Sequence, residues 1–131
     1  MKSEKGFSLI EVLVSLTLLG VIAAAFLYGL STGLKSVLLS EERVAGESLA
    51  KSQVEDIKAQ DYIPVADYNP LKSYELIDIP AKLAAAGYDV KINPPEIISG
   101  AEAYELQIIT VVVRRSGKVI LAISFYRLGA V

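Results

Sequence analysis

The residue near the N-terminus whose chemistry most needs an explanation is Glu11. It is the single charged residue in the apolar run from Phe7 to Leu30. An ionised carboxylate inside an apolar membrane helix costs at least about 2.5 kcal/mol, so we expect Glu11 to have a cationic partner. In a staggered bundle of helices, a cation on a neighbouring helix would neutralise it at low dielectric constant. The alternative is that Glu11 lies at the headgroup boundary and has no function.

The apolar run itself predicts a membrane-spanning helix. At about 1.5 Å per residue, the run is long enough to cross a hydrocarbon core of about 30 Å. Lys2 and Lys5 precede it, so the positive-inside tendency predicts a cytoplasmic N-terminus and an external C-terminal part. Gly29 and Gly33 have the G-x-x-x-G spacing that permits close helix approach, but two glycines in a helix leaving the membrane explain it equally well.

The composition argues against several classes of site. The 131 residues include no cysteine and no histidine, which removes disulfides, thiolate and imidazole metal ligands, and Ser-His or Cys-His catalysis. The net charge is −2, so nucleic-acid binding is not indicated. The remaining candidate catalytic residues form no organised motif. They are Asp56, Lys58, Asp61 and Ser116. We therefore predict no enzyme activity, no cofactor and no metal site.

The segment KGFSLIEVLVSLTLLG resembles the signal of type IV prepilins, with a short charged leader, Gly6, an aromatic Phe7 and Glu11. In that family, a membrane-embedded prepilin peptidase cuts after the glycine and methylates the new amino terminus. The resemblance therefore implies cleavage between Gly6 and Phe7 and N-methylation of Phe7. The new amine would be the cation that pairs with Glu11 of a neighbouring subunit and sets the register of the filament.

The same resemblance implies a structural subunit of a type IV pilus-like filament, either a minor pilin or a pseudopilin of type II secretion, especially of the I type. The implied partners are other pilin or pseudopilin subunits, prepilin peptidase and an inner-membrane assembly platform. The implied location is the inner membrane, crossed once, and then the filament. Two alternatives stay open: a signal-anchored binding module or enzyme that never polymerises, and a soluble domain secreted after ordinary cleavage at Ala23-Ala24-Ala25.

Four segments are expected along the chain. They are a leader at 1–6, a membrane-spanning and filament-core helix at 7–30, an amphipathic continuation of that helix at 31–62, and a small β-rich globular domain at 63–131. Pro64 is the first clear stop after the helix-forming residues. The predicted fold class is α+β, a long N-terminal helix whose second half packs on a small antiparallel sheet.

The continuation of the helix has two apolar faces at about 100° per residue. The early face consists of Leu34, Leu38, Ala45 and Leu49, and the late face of Ala50, Val54 and Ile57. We interpret the late face as the one that covers the protein's own sheet, and the early face as available to other subunits.

The residues after the helix predict a loop, a short helix and strands. The loop runs from Asp61 to Asn69, and its oxygen-bearing residues match no established calcium loop, so turn chemistry is expected. These residues are Asp61, Asp67 and Asn69. SYELIDI predicts an edge strand, PAKLAAAG a short helix that ends at Gly87, and YDVKI a further strand.

A C-terminal hairpin is the clearest β pattern. The runs AYELQIITVVVRR and KVILAISFYRL are joined by Ser116-Gly117, a plausible two-residue turn. The expected register makes one apolar core face from three cross-strand pairs. These pairs are Val112 with Leu121, Thr110 with Ile123, and Ile108 with Phe125. Arg114 and Arg115, beside the turn, are expected to be solvated, or to contact a neighbouring subunit.

Overall fold

The computed structural model describes residues 6–131, so Lys2, Lys5 and most of the expected leader at 1–6 lie outside the described residues. The elements in chain order are α1 (Leu9–Ala59), a 3-10 turn (Val65–Asp67), α2 (Ala81–Ala85), β1 (Tyr88–Ile92), β2 (Glu96–Gly100), β3 (Tyr104–Arg115) and β4 (Lys118–Ala130). α1 packs on a four-stranded antiparallel sheet. The predicted α+β fold is therefore confirmed.

The chain divides after Ser40 into two compact units, and α1 contributes residues to both. In the first unit, every described residue is exposed. The second unit begins at Glu41 and contains the sheet and all the buried residues. The hydrophobic core of the described chain is therefore confined to the second unit.

The C-terminal part of α1 forms the helical side of the core. Its buried residues are Gly46, Leu49, Ala50, Gln53, Val54 and Ile57. The prediction that the late face covers the sheet is confirmed. The assignment of Leu49 to the early face is wrong, because Leu49 is only 3% exposed and belongs to the core. At about 100° per residue the buried residues span an arc of roughly 140°, which is wide enough to include Leu49.

The central strand of the sheet is β3. It pairs with β4 along its whole length on one side, and with β1 and β2 on the other. Its alternate residues Ile109, Val111 and Val113 are fully buried against α1. The predicted strand at YDVKI is confirmed as β1, whereas β2 was not predicted, because it is short, fully exposed and follows two prolines.

The predicted turn of the hairpin is confirmed, but its predicted register is wrong. Ser116 and Gly117 both have positive φ, 51° and 81°, as a two-residue hairpin turn requires. One residue, Ile120, is extra on β4, because Arg114 pairs with Val119 but Val113 pairs with Leu121. Such a bulge moves every later pair by one residue and exchanges the two faces of one strand.

The observed register changes the composition of the core. The observed pairs are Val112 with Ala122, Thr110 with Ser124, and Ile108 with Tyr126. The β3 residues that were predicted to be core therefore lie on the other face of the sheet. The β4 residues Leu121, Ile123 and Phe125 do pack against the core, as predicted.

Residues 73–79, which we call the strap, were predicted to be an edge strand and are not one. The strap is held instead by two side-chain amides, that of Gln53 in α1 and that of Gln60 just after α1. Gln53 donates from Nε2 to the Glu75 carbonyl oxygen at 2.9 Å and accepts the Ile77 N–H at 2.9 Å. Gln60 accepts the Glu75 N–H at 2.8 Å. These amides provide the donors and acceptors that a neighbouring strand would have provided.

The predicted short helix is confirmed as α2. Gly87, its predicted stop, has a φ of +90°, which residues with a side chain rarely adopt. A Cβ at this position would lie 2.8 Å from Ser116 Oγ. The end of α2 therefore lies directly against the hairpin turn.

Candidate functional site

The candidate processing residues lie immediately before α1. Gly6, Phe7 and Ser8 precede Leu9, the first helical residue. Ser8 caps the helix, because its Oγ accepts the backbone N–H of Glu11 at 3.2 Å. The Gly6–Phe7 peptide bond therefore lies in exposed, non-helical backbone, which is the state that a peptidase needs in its substrate.

Glu11 lies in the first turn of α1, and its side chain is exposed. Ser8 and Glu11 have the S-x-x-E spacing of a capping box, a signal that the sequence analysis missed. Only the Ser8 half of the box is formed. Within residues 6–131, the Glu11 carboxylate makes no hydrogen bond or salt bridge. It is therefore available to a cation from outside the described chain. Its negative charge also interacts favourably with the positive, N-terminal end of the helix dipole.

The part of α1 from residue 12 to residue 30 has no charged side chain and presents a mainly apolar surface. The most apolar window of α1 has a mean hydropathy of 2.4 and no buried residue, and α1 is long and apolar enough to cross a membrane. The large side chains are well exposed, for example Leu9 at 81% and Phe26 at 68%. A surface of this size needs lipid or other apolar helices to cover it.

Comparison with known proteins identifies this N-terminal segment. Residues 1–27 match the family model of the prokaryotic N-terminal methylation motif. The chain carries a type IV pilin-like prepilin signal. The match confirms the resemblance inferred from the residues around Gly6 and Glu11, and it covers only the N-terminal part of the chain. No curated protein and no solved structure matches this chain.

The prepilin signal implies processing by prepilin peptidase and assembly with other pilin subunits in the membrane. Together with the apolar helix, it fits a membrane-anchored protein. The motif family is structural and not enzymatic.

A polar cluster in the second unit joins the end of α1 to β4. Arg127 donates from Nη1 to the Ile57 carbonyl oxygen at 2.7 Å and from Nη2 to the Gln60 carbonyl oxygen. Its guanidinium carbon lies 5.6 Å from the centre of the Tyr62 ring and 5.4 Å from that of Tyr74. Arg127 therefore caps the last carbonyls of the helix, where a positive charge also complements the helix dipole.

Two buried polar residues of β3 complete this cluster. Glu105 is 5% exposed and accepts hydrogen bonds from the Tyr62 hydroxyl at 2.8 Å and the Val65 N–H at 2.7 Å. Gln107 is fully buried and donates from Nε2 to the Tyr74 hydroxyl at 3.2 Å. Its Oε1 has no partner among the described residues. The sequence analysis missed this cluster because it depended on the register of β3.

Burial, together with the hydrogen bond to Glu105, raises the pKa of the Tyr62 hydroxyl above its ordinary value. Burial likewise raises the pKa of the Tyr68 hydroxyl. Both tyrosines are therefore kept protonated, and Tyr62 remains a hydrogen-bond donor to the Glu105 carboxylate.

The two arginines beside the hairpin turn contact other residues of the same chain. The expectation that they are only solvated is therefore wrong. Arg114 pairs with Asp89, with Nε 3.2 Å from Oδ1. Arg115 donates to the Ala86 carbonyl oxygen at 3.3 Å and lies over the Tyr88 ring at 5.2 Å. They fix the turn to β1 and to the end of α2.

Two of the three oxygen-bearing loop residues have local partners, in agreement with the expected turn chemistry. Asp67 pairs with Lys72 at 3.0 Å. Asn69 Oδ1 accepts the N–H groups of Leu71 and Lys72 at 2.9 and 3.0 Å, and Asp61 is exposed. Within residues 6–131, no group of three or more acidic side chains is placed to hold a metal ion.

Proposed function

We propose that this chain is a minor pilin or pseudopilin, a structural subunit of a type IV pilus-like filament that serves pilus assembly or type II secretion. The observation that carries this proposal is the match of residues 1–27 to the methylation motif. The wholly exposed apolar surface of the first unit supports it, because a polymer of such helices would cover that surface.

In this proposal, prepilin peptidase cleaves between Gly6 and Phe7 and methylates the amine of Phe7. Two observations support this site. The peptide bond lies in exposed backbone before the Ser8 cap, and the Phe7 side chain is 81% exposed. Cleavage there would leave the cap and the whole of α1 intact.

Glu11 then pairs with the Phe7 amine of a neighbouring subunit. Its carboxylate has no partner within residues 6–131, and a carboxylate in apolar surroundings is stabilised by a nearby cation. The pair would form only when subunits stagger along the filament. It would therefore give assembly a fixed register.

The segment scheme belongs to the same proposal. Residues 7–30 cross the inner membrane and later form the filament core, with the N-terminus in the cytoplasm. Residues 31–62 continue the helix, and 63–131 form the globular domain outside. The assignment to a minor subunit or pseudopilin is supported by the small globular part and by the absence of any cysteine-closed loop. The inner-membrane assembly platform is the expected partner that inserts the subunit.

The experiment that tests this proposal is the intact mass and N-terminal sequence of the full chain after co-expression with a prepilin peptidase. We expect a chain that starts at Phe7 and carries one methyl group. A start at Phe26 would mean a secreted domain, and an uncleaved chain would mean a plain signal anchor; either result would contradict the proposal. Gly6→Val is the matched control and should leave the chain uncleaved.

A further inference from the structure

A groove lies between the strap and the edge of the sheet at β1. Its volume is about 530 Å³, which is within the range of sites that bind small ligands. On the strap it is lined by Leu76, Ile77 and Ile79, and on the sheet by the successive residues 89–92 of β1. The groove therefore follows the edge of a strand and has aliphatic side chains on both sides.

The backbone of β1 turns alternate residues towards this edge. The Ser116 N–H donates to the Gly87 carbonyl oxygen at 2.9 Å. The Asn93 N–H donates to the Thr110 carbonyl oxygen, also at 2.9 Å. In an antiparallel pair, only every second residue exchanges backbone hydrogen bonds with the same neighbour. The odd-numbered residues of β1 therefore bond to β3, and the N–H and C=O groups of Val90 point away from it.

These groups of Val90 have no backbone partner within residues 6–131. The same holds for Ile92, the next residue with this orientation. Val90 is a core residue and is only 6% exposed, and backbone N–H and C=O groups with so little exposure are normally paired. Donors and acceptors at this spacing match the backbone of one further extended chain.

The side chains around the edge determine which sequence would fit there. Val90 and Ile92 pack on the core side of the sheet, as do Ile77 and Ile79 of the strap, whereas Lys91 lies on the opposite side and is exposed. Directly opposite residues of neighbouring strands have their side chains on the same face. An added strand would therefore need apolar side chains opposite Val90 and Ile92.

The charge of the groove determines the residue between those two. Lys91 makes no salt bridge within residues 6–131. The other charged residues that line the groove, Asp89 and Arg114, are paired with each other. One positive charge therefore lacks a counterion in the described chain, and an acidic residue opposite Lys91 would complement it.

We propose that β1 binds an extended peptide segment of a partner protein by antiparallel strand addition. The segment has an apolar–acidic–apolar pattern, with its acidic residue opposite Lys91. Main-chain hydrogen bonds to Val90 and Ile92 supply affinity, and the alternate side chains supply specificity. The apolar side chains pack beside Ile77 and Ile79, and the acidic one pairs with Lys91. The site lies within the second unit and does not depend on the polymerisation proposed above.

A charge exchange tests the side-chain pattern, with the full-length chain in mild detergent. The probe is the fluorescently labelled peptide Ser-Val-Glu-Val-Ser with an amidated C-terminus, and fluorescence anisotropy measures its binding. We expect saturable binding to the native chain and at least about fivefold weaker binding to Lys91→Glu, because an attraction becomes a repulsion. The matched peptide with lysine in place of glutamate should prefer Lys91→Glu. If neither peptide binds saturably, or if each binds both chains equally, the proposal is overturned.

Methylated probes test the main-chain hydrogen bonds without any change to the protein. In the proposed pairing, the N–H groups of the two peptide valines point to β1, and the N–H of the glutamate points away. A methyl group on the nitrogen of either valine removes one donor, so we expect binding to the native chain to weaken at least about tenfold. The same group on the glutamate nitrogen is the control and should change the affinity by no more than about twofold. Equal effects at the three positions would show that the peptide does not add to β1 as a strand.

Discussion

Two glutamates lie where an ionised carboxylate is energetically unfavourable, but they differ in their partners. Glu105 is buried in the second unit and is satisfied by Tyr62 and Val65. Glu11 lies in the apolar first turn of α1, and its carboxylate has no partner within residues 6–131. A carboxylate away from water needs a donor or a cation. In our proposal, Glu105 stabilises the single chain, whereas Glu11 stabilises only an assembly.

We expect Glu11→Ala to be cleaved normally but to reduce filament incorporation at least about tenfold, because the Phe7 amine of the neighbour would be left unpaired in apolar surroundings. Incorporation is measured as the subunit recovered in sheared filaments relative to the membrane fraction. Glu41→Ala, an exposed glutamate outside the apolar run, is the control and should assemble normally. Unchanged assembly of Glu11→Ala would show that the charge pair is not needed.

Tyr62 makes the stability of the fold sensitive to alkaline pH. Its folded pKa is raised above the ordinary value of 10.0, so its contribution is complete below about pH 10 and is lost as the pH rises towards the folded pKa. We expect the free energy of unfolding of the native chain to fall above pH 10 more steeply than that of Tyr62→Phe. Urea unfolding in mild detergent, followed by circular dichroism at several pH values, measures both. Parallel pH profiles would exclude Tyr62 as the sensitive group.

At the scale of elements, the strap shows how a segment can be held without a strand partner. Gln53 is fully buried and bonds to a carbonyl oxygen and an N–H group of the strap backbone, those of Glu75 and Ile77. Gln60 makes a similar contact nearer the surface. The strap is thereby held by one side chain of α1 and by one just after it, and it brings Tyr74 into the core.

We expect Gln53→Ala to destabilise the second unit by about 2 kcal/mol or more, because it removes a fully buried side chain, leaves the partly buried Ile77 N–H without its acceptor and takes one of two donors from the Glu75 carbonyl oxygen. Gln60→Ala, the matched control, should cost about 1 kcal/mol or less, because water can replace its more exposed bonds. The midpoint of urea unfolding of the full chain in detergent measures both changes. Equal losses of unfolding free energy in the two variants would mean that burial of the amide does not determine the size of the destabilisation.

At the scale of the whole molecule, the two units differ in the surface that they present. The first is apolar and has no buried residue among those described, while the second buries a core of its own between α1 and the sheet. The second unit is therefore suited to an aqueous compartment, and the first unit needs lipid or other helices.

The proposed topology predicts a labelling pattern in intact spheroplasts. Lys58→Cys, at the exposed end of α1, should react with a membrane-impermeant maleimide added outside. Thr17→Cys, in the middle of the apolar run, should react only after the membrane is dissolved in denaturing detergent, because lipid or packed helices exclude the reagent. Lys58→Cys that reacts only after the spheroplasts are lysed would place the second unit in the cytoplasm and contradict the proposed orientation.

The features that followed correctly from the sequence are those determined by residues close together in the chain. The prepilin signal around Gly6 and Glu11, the length of α1, the stop at Gly87 and the Ser116-Gly117 turn all depend on local chemistry or local backbone conformation. Each can be recognised in a short window, because its physical cause lies inside that window.

Only the tertiary structure decided which faces are buried and which polar residues meet. The bulge at Ile120 reversed the faces of β3, and it placed Glu105 and Gln107 inside, where Tyr62 and Tyr74 reach them. The strap became a partner of α1 and not of a strand. These outcomes depend on pairing between residues far apart in sequence, where a shift of one residue exchanges the inside and the outside of a strand. The sequence alone was enough to predict a prepilin-like chain with an apolar helix that fits a membrane anchor. The residues of the core, in contrast, were determined only by the packing of α1 on the sheet.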